Sequence, residues 1–596
     1  MQTLTLRHLR EQGMQWLMGR RTANHMEPRI DKGLRPRSGC RSHPVRHCTI
    51  VILFVLACFG SMMSVASPVL TQSGLVEGVQ ENGILVFKGI PFAAPPVGTL
   101  RWRPPQPPAA WSGVMSANQF APICMQHGSY PEDAPPERMS EDCLYLNIWV
   151  PSNAKDDKLP VMVWIYGGGL TNGSASTPLY AGDMLARKGV IVVTANYRLG
   201  VVGFLALPAL SRESLQHVSG NYGLLDQLAA LRWVHRNIGA FGGDPTRVTV
   251  FGQSSGSISI SALTTSPLAK GLFQRVIGES GGLFEPINLA AGFKLADAEQ
   301  AGKAFVARTG ARSLQALRAI PATEIIKARF IPQAAIIDGY VLTRAPYDAY
   351  RAGKQMDVDL LIGSNANEGR LFLADKTITA ANLTEQLDND FSGPVVTLVG
   401  PGQAANDREA RAAFVKFEGE MRFGWDMWTW ARLQSAAGNH HVFLYRFTQS
   451  SPYRPGDKYF GWGASHGMEM PYVFDHLDQQ ALPWTHEDRR LASVISTYWT
   501  NFAKSGDPNG AGLPAWPPFT TSNPQAMLLG KTIVSGPVPD EVDLQRIGRL
   551  YWTARFVAQH AYALLAIVAL GVLALIAGII RFFRRRFRRL SKSVGT

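Results

Sequence analysis

Cysteine is scarce in this chain: there are five in 596 residues, and Cys40, Cys48 and Cys58 all precede residue 60. No dense disulfide framework can hold such a protein together. Net charge is missing from its body as well. The formal +14 sits at the two ends: residues 1–48 hold ten Lys/Arg against three Asp/Glu, residues 581–596 hold seven against none, and residues 49–580 hold 42 of each. A basic protein invites a polyanion partner, but charge confined to the termini points to membrane topology, and no nucleic acid is expected to bind. Internal repeats and low-complexity tracts are absent too. At this length the chain forms either several domains or one α/β domain enlarged by insertions.

Two apolar runs adjoin the basic ends. Thr49 to Phe59 (TIVILFVLACF) follows the first and precedes Ser64-Val65-Ala66, a small-x-small site, which together predict an export signal cleaved after Ala66. Because the basic lead is long, Met26 is an alternative start. A lipoprotein box at Val55–Cys58 and an uncleaved anchor over Ile50–Ala66 are the rival readings. Ala561 to Ile580 is twenty residues without a charge, the length that crosses hydrocarbon. Basic residues from Arg581 to Lys592 follow it, predicting a cytoplasmic tail and an extracytoplasmic body on a single-pass anchor. They also disfavour a lipid-anchor signal, whose apolar tail ends the chain, and a plain core helix. The expected layout is a basic region and signal over 1–66, a body over 67–555, a transmembrane helix over 561–580 and a basic tail over 581–596. Export leaves Cys124 and Cys143 in the body, which suits one disulfide or two buried thiols.

Along the body, Leu75–Val79 and Ile84–Phe87 read as a hairpin. Leu144–Val150, Val161–Tyr166, Val190–Ala195, Asp359–Gly363 and Val442–Phe447 read as further strands. Leu224, Leu228, Leu231 and Val234 keep helical spacing on one face. Strands alternating with helices predict a doubly wound, mainly parallel sheet. The stretches from about 285 to 350 and from about 376 to 440 turn helical and irregular, as insertions over one edge would.

The chain organises around Arg247–Gly256, where an apolar run ends in Gly252-Gln253-Ser254-Ser255-Gly256 and a helix-compatible run follows. Strand, sharp turn, helix is what a nucleophile elbow needs, and it makes Ser254 the candidate nucleophile. A second G-x-S-x-G, Gly278 to Gly282, precedes Pro286 and opens no helix so readily, which makes Ser280 a polar loop residue near the site. A serine needs a base within reach and a carboxylate to orient it. Glu368 lies just past the strand Asp359–Gly363, although a solvated loop glutamate is the common alternative. His466 lies in a glycine-bounded loop, whereas surface roles suit His440, His441, His476 and His486 better. Gly167-Gly168-Gly169 directly follows a strand, so the N–H groups of Gly168 and Gly169, with that of Ser255, can form an oxyanion hole. A phosphate cradle would carry Lys-Ser/Thr next, and Leu170-Thr171-Asn172 follows instead.

Further stretches carry a family pattern: Glu141-Asp142-Cys143-Leu144-Tyr145-Leu146-Asn147-Ile148, Phe241–Pro245 with Val250–Gly256, Phe87–Ala93, Asn196–Gly200, Tyr498–Phe502 and Gly506–Pro508. In these, from roughly Gly74 to Asn509, the chain resembles the type-B carboxylesterases, the cholinesterase-like branch of the α/β-hydrolases. The resemblance implies an α/β-hydrolase fold with helical insertions over the catalytic edge. It puts the nucleophile on Ser254, the acid on Glu368, the base on His466, a disulfide on Cys124–Cys143, and Ser280 near the acid. Ser255 departs from the family's usual alanine, although its backbone donor survives. The loop Met125–Asp142 has no tryptophan and only Tyr130 as an aromatic, so a quaternary ammonium ligand loses its cation–π platform and acetylcholine is not expected. The expectation is a membrane-tethered serine esterase for a small-molecule ester, with no cofactor and no metal. A catalytically silent adhesion or receptor-like ectodomain and a lipase or thioesterase are its rivals.

Overall fold

The computed structural model describes residues 66–127, 139–152, 158–287, 289–290, 292–328, 330, 335–373, 376–438 and 440–593, the backbone alone from 586 onward. The expected signal and Tyr130 lie outside these residues.

The apolar runs become the middle of one eleven-stranded sheet. In chain order its strands are β1 (Val79–Glu81), β2 (Ile84–Pro91), β3 (Tyr145–Pro151), β4 (Leu159–Ile165), β5 (Ile191–Ala195), β6 (Gly243–Gln253), β7 (Arg275–Glu279), β8 (Asp359–Asn365), β9 (Val442–Phe447), β10 (Gln525–Leu529) and β11 (Val534–Pro537). Across the sheet they lie in the order β11-β10-β9-β8-β7-β6-β4-β5-β3-β2-β1. Every pair from β10 to β5 is parallel, and the pairs at both edges are antiparallel. β4, β5 and β8 are buried almost throughout. That is why they read as unbroken apolar runs rather than alternating ones.

Parallel neighbours require crossovers, and helices supply them. The principal ones are α1 (Tyr222–Asn237), α2 (Ser255–Leu263), α3 (Leu295–Thr309), α4 (Leu383–Phe391), α5 (Asp407–Gly419), α6 (Trp425–Ala436), α7 (His486–Ser505), α8 (Glu541–Gln559) and α9 (Ala561–Ser593). The stripe of Leu224, Leu228, Leu231 and Val234 on α1 is fully buried, and burial extends around the helix to Asp226. Asp226 is tolerated there because Arg198 grips both its oxygens at 2.7 Å. The sheet order reverses where β4 lies between β5 and β6, so the segments leaving β4 and β6 open a crevice of the kind that binds ligands in doubly wound sheets.

Two expectations need correction. The hairpin is β1 with β2, whereas Leu75–Glu77 pairs with Val69–Leu70 and Val114–Ser116 in a separate small sheet. The chain departs at Gly78, where a Cβ would sit 2.7 Å from the Phe87 ring. His476 is buried rather than on the surface, and its Nε2 lies 3.0 Å from the Asp183 carboxylate. At the C-terminal end α8 runs to Gln559, past residue 555, and Arg555 itself is buried. In α9, the apolar 18-residue window within Ala561–Arg585 has a mean hydropathy of 3.0 and none of it is covered.

Candidate active site

Between β6 and α2 the backbone of Ser254 adopts φ 54° and ψ −126°, a pair that neither strand nor helix contains. Such a residue costs about 1–3 kcal/mol and persists only when its surroundings impose it. The turn passes close over one oxygen. A Cβ on Gly252 would lie 2.5 Å from the Ile165 carbonyl at the end of β4, and a Cβ on Gly256 would strike the same atom. Both glycines of the motif are thus required by the close passage of the turn over β4. The Ser254 N–H is tied to the Glu279 carbonyl at 2.8 Å. Within 251–257 only Ser254 is partly exposed. Ser280 makes a similar bend, with φ 53°, but it is fully buried, its hydroxyl has no hydrogen-bond partner and no helix follows directly. The sequence criterion that separated the two motifs was the helix.

His466, in the loop after β9, and Glu368, just after β8, meet at 2.6 Å between Nδ1 and Oε2. The other Glu368 oxygen accepts the Asn365 N–H at 2.7 Å. The Asn365 amide also donates to the Ser465 carbonyl at 2.8 Å and to Glu469. On its far side the His466 ring stacks on Phe423, with centroids 4.5 Å apart. Phe423 belongs to the π-helical turn Glu420–Gly424 between α5 and α6, a distortion frequent at functional sites. His466 Nε2 lies 3.2 Å from the side-chain amide nitrogen of Gln253, the residue before Ser254. Among the described residues no hydrogen bond joins Ser254 to His466, so base and acid are paired and the base reaches the turn without closing on the hydroxyl. Such contacts commonly tighten only when substrate binds.

Burial pushes the His466 imidazole down. The Glu368 charge and hydrogen bond, with Glu469 behind them, outweigh burial and hold it above its ordinary value. Burial beside Glu368 raises the Glu469 carboxyl.

The glycine run after β4 turns through φ 111° at Gly168 and 63° at Gly169. A Cβ on Gly167 would lie 3.0 Å from that of Ser254, so this loop passes directly beside the turn. Among the described residues the N–H groups of Gly168, Gly169 and Ser255 donate to no protein acceptor. Buried Gln126 clamps the loop's far end through reciprocal bonds with Gly173, 3.0 and 3.1 Å. Gln126 stands beside Cys124, which is joined to Cys143 with Cα atoms 5.0 Å apart. A half-open hollow adjoins, lined chiefly by Met125, Gln126, Thr171, Leu199, Ile326 and Phe330. No group of three or more His, Cys, Asp or Glu that could hold a metal ion occurs among the described residues.

Sequence reasoning missed Gln253, Asn365, Glu469, Phe423 and Gln126. Adjacency to Ser254 could have flagged Gln253, and its place three residues past His466 could have flagged Glu469. Phe423 left no local signal, because a π-turn has none.

Comparison with known proteins gives the family. Residues 66–543 match the carboxylesterase family. The chain is 40% identical over 496 residues to the fumonisin B1 esterase of Sphingopyxis macrogoltabida, covering 78% of this chain and 87% of that one. It is 35% identical over 505 residues to the para-nitrobenzyl esterase of Bacillus subtilis, covering 80% and 98%. A solved PNB esterase superposes with a TM-score of 0.70 at 34% identity, over 80% of this chain and 99% of that one. A Geobacillus stearothermophilus carboxylesterase does so with a TM-score of 0.69 at 34% identity, over 81% and 100%. Sequence, sheet order and solved relatives converge, and the chain belongs to the carboxylesterase family: it is a carboxylic-ester hydrolase of α/β-hydrolase fold.

Proposed function

We propose that this esterase works through Ser254, His466 and Glu368 by way of an acyl-serine intermediate. The observation that carries the reading is the 2.6 Å pairing of His466 with Glu368 beside a turn whose one partly exposed residue is Ser254. The Glu368 carboxylate fixes the proton on Nδ1 and leaves Nε2 as the acceptor. On substrate binding the ring leaves the Gln253 amide for the Ser254 hydroxyl and takes its proton as the oxygen attacks the ester carbonyl. The N–H groups of Gly168, Gly169 and Ser255 receive the developing oxyanion, for which they have no competing protein acceptor. His466 then returns the proton to the leaving alcohol, and water releases the acid by the same route. Each step uses charge already balanced within the pair, so neither metal nor cofactor is required of the chain's own residues.

Relatives named for fumonisin B1, para-nitrobenzyl and cocaine esters share the fold and differ in substrate. What carries over is the carboxylic ester, and the hollow beside the glycine loop favours a small-molecule one. The absence of tryptophan from Met125–Asp142 speaks against choline esters. α9 tethers the enzyme to a bilayer: at about 1.5 Å per residue, 25 residues reach across the roughly 30 Å of hydrocarbon. The basic tail holds the C-terminus in the cytoplasm, which puts the catalytic body outside it, where the Cys124–Cys143 bond survives.

Ser254→Ala should lower ester turnover by about 10⁴-fold or more, and a fluorophosphonate should label wild type at Ser254 alone. A variant that keeps its rate would remove Ser254 from the assignment, and a wild-type chain that neither takes the label nor turns over ester would favour a catalytically silent ectodomain.

A further inference from the structure

The glycine loop is held in a conformation that its own residues do not choose. Gly168, Gly169 and Leu170 stand at φ 111°, 63° and 60° in succession, and the last is not a glycine. A leucine in the left-handed region is strained by roughly 1–2 kcal/mol, so something beyond the loop must impose the bend.

A set of buried hydrogen bonds does so. The Leu170 N–H, at the loop's far end, donates to Ser255 Oγ at 3.2 Å. The Tyr197 phenol lies nearby and holds the loop's other end. The Tyr197 hydroxyl donates to the Tyr166 carbonyl at 2.7 Å, and Tyr166 is the residue from which the loop departs. The two tyrosine rings stack with centroids 4.4 Å apart, which fixes the phenol in place. The two ends of Tyr166–Leu170 are thus each tied down, Leu170 by Ser255 and Tyr166 by Tyr197. Tyr166, Leu170, Tyr197 and Ser255 are all buried, so no water replaces a missing partner.

We propose that the Ser255 hydroxyl, as distinct from its backbone N–H, is a positioning residue that holds the glycine loop in register with the nucleophile. This rests on the reading of Gly168 and Gly169 as oxyanion donors. Alanine at position 255 would leave the buried Leu170 N–H without this acceptor. An oxyanion donor must lie within about 2.7–3.1 Å of an oxygen that becomes charged only in the transition state. Loosening the loop therefore weakens transition-state binding and spares ground-state binding.

The test compares wild type, Ser255→Ala, Tyr197→Phe and the double variant in kcat, KM, affinity for a trifluoromethyl ketone and stoichiometry of fluorophosphonate labelling. Ser255→Ala should lower kcat by about 3- to 30-fold with KM within about twofold, and should weaken the ketone by the same factor as kcat. Tyr197→Phe removes the bond that ties down the loop's other end and serves as the probe if the alanine variant does not fold. The double variant should lose little more than the worse single one. Unchanged kcat in a fully labelled Ser255→Ala protein, a loss confined to thermal stability, or single effects that multiply in the double variant would each overturn the inference alone. Wild-type hydrolysis without labelling of Ser254 would overturn the underlying reading and this inference with it.

Discussion

His466 is pulled two ways, and the balance predicts its pH behaviour. Burial disfavours its cation, whereas Glu368 and Glu469 favour it more strongly. A general base must be neutral to act, so kcat/KM should rise with pH through a midpoint above the ordinary histidine value of about 6.5. Glu368→Gln removes the main counter-charge and leaves burial unopposed. The acid limb should then move to lower pH while kcat falls by about 10³- to 10⁴-fold. A pH profile of both proteins checks this, and a limb that stays put would exclude Glu368 as the partner. Ser254, Glu368 and His466 could be picked from the sequence because each sits in a loop with a local signature. Asn365 could not, since its bonds to Ser465 and Glu469 close across 100 and 104 residues.

Among the elements, the turn at Ser254 depends on what supports β7 and β6 from behind. α7 does part of this: Trp499 Nε1 donates to the Glu279 carboxylate at 2.7 Å, and the Glu279 carbonyl holds the Ser254 N–H. α7 begins with a capping box in which Thr485 and Asp488 satisfy each other's backbone, and Asp488 also accepts the Tyr472 hydroxyl at 2.8 Å. Thr485→Ala should cost about 1 kcal/mol, read as a lower urea midpoint, with kcat unchanged at 25 °C. A midpoint equal to that of wild type would mean that the Tyr472 bond holds the helix start alone. The strands and α1 were legible because hydropathy period is a local property. The π-turn that carries Phe423 was not, because it arises from how α5 and α6 are packed rather than from their residue pattern.

In the whole molecule, α8 joins the catalytic body to the apolar helix and is no mere linker. Arg555 donates to the Phe284 carbonyl and lies 3.6 Å from the centre of the Tyr347 ring. Burial raises the carboxyls of Glu285 and Asp426, and Arg555 opposes this at both, behind Arg422 at Glu285. The loop it grips, Gly281 to Glu285, packs against the Ser254 carbonyl through Gly281. A chain ending after Gln559 should be soluble without detergent and keep the kcat/KM of the full chain, which itself should partition with membranes. A chain ending after Gly548 loses Tyr551 and Arg555, and with them the bond to the Phe284 carbonyl and the contact with Tyr347, which should destabilise it by about 1–3 kcal/mol. Sedimentation, denaturation midpoints and turnover of the two fragments check this. Equal stability would show that the dock carries no weight.

The sequence by itself determined the fold class, the sharp turn at Ser254, the glycine loop and the two charged ends, since each depends on the hydropathy, the backbone freedom or the charge of neighbouring residues. Only the tertiary structure decided which carboxylate meets which imidazole, why both glycines of the motif answer to the Ile165 oxygen, and what the Ser255 hydroxyl holds. Those outcomes follow from the register of parallel strands. It brings residues far apart in the chain to one edge of the sheet, within a tolerance of tenths of an ångström that no local pattern encodes.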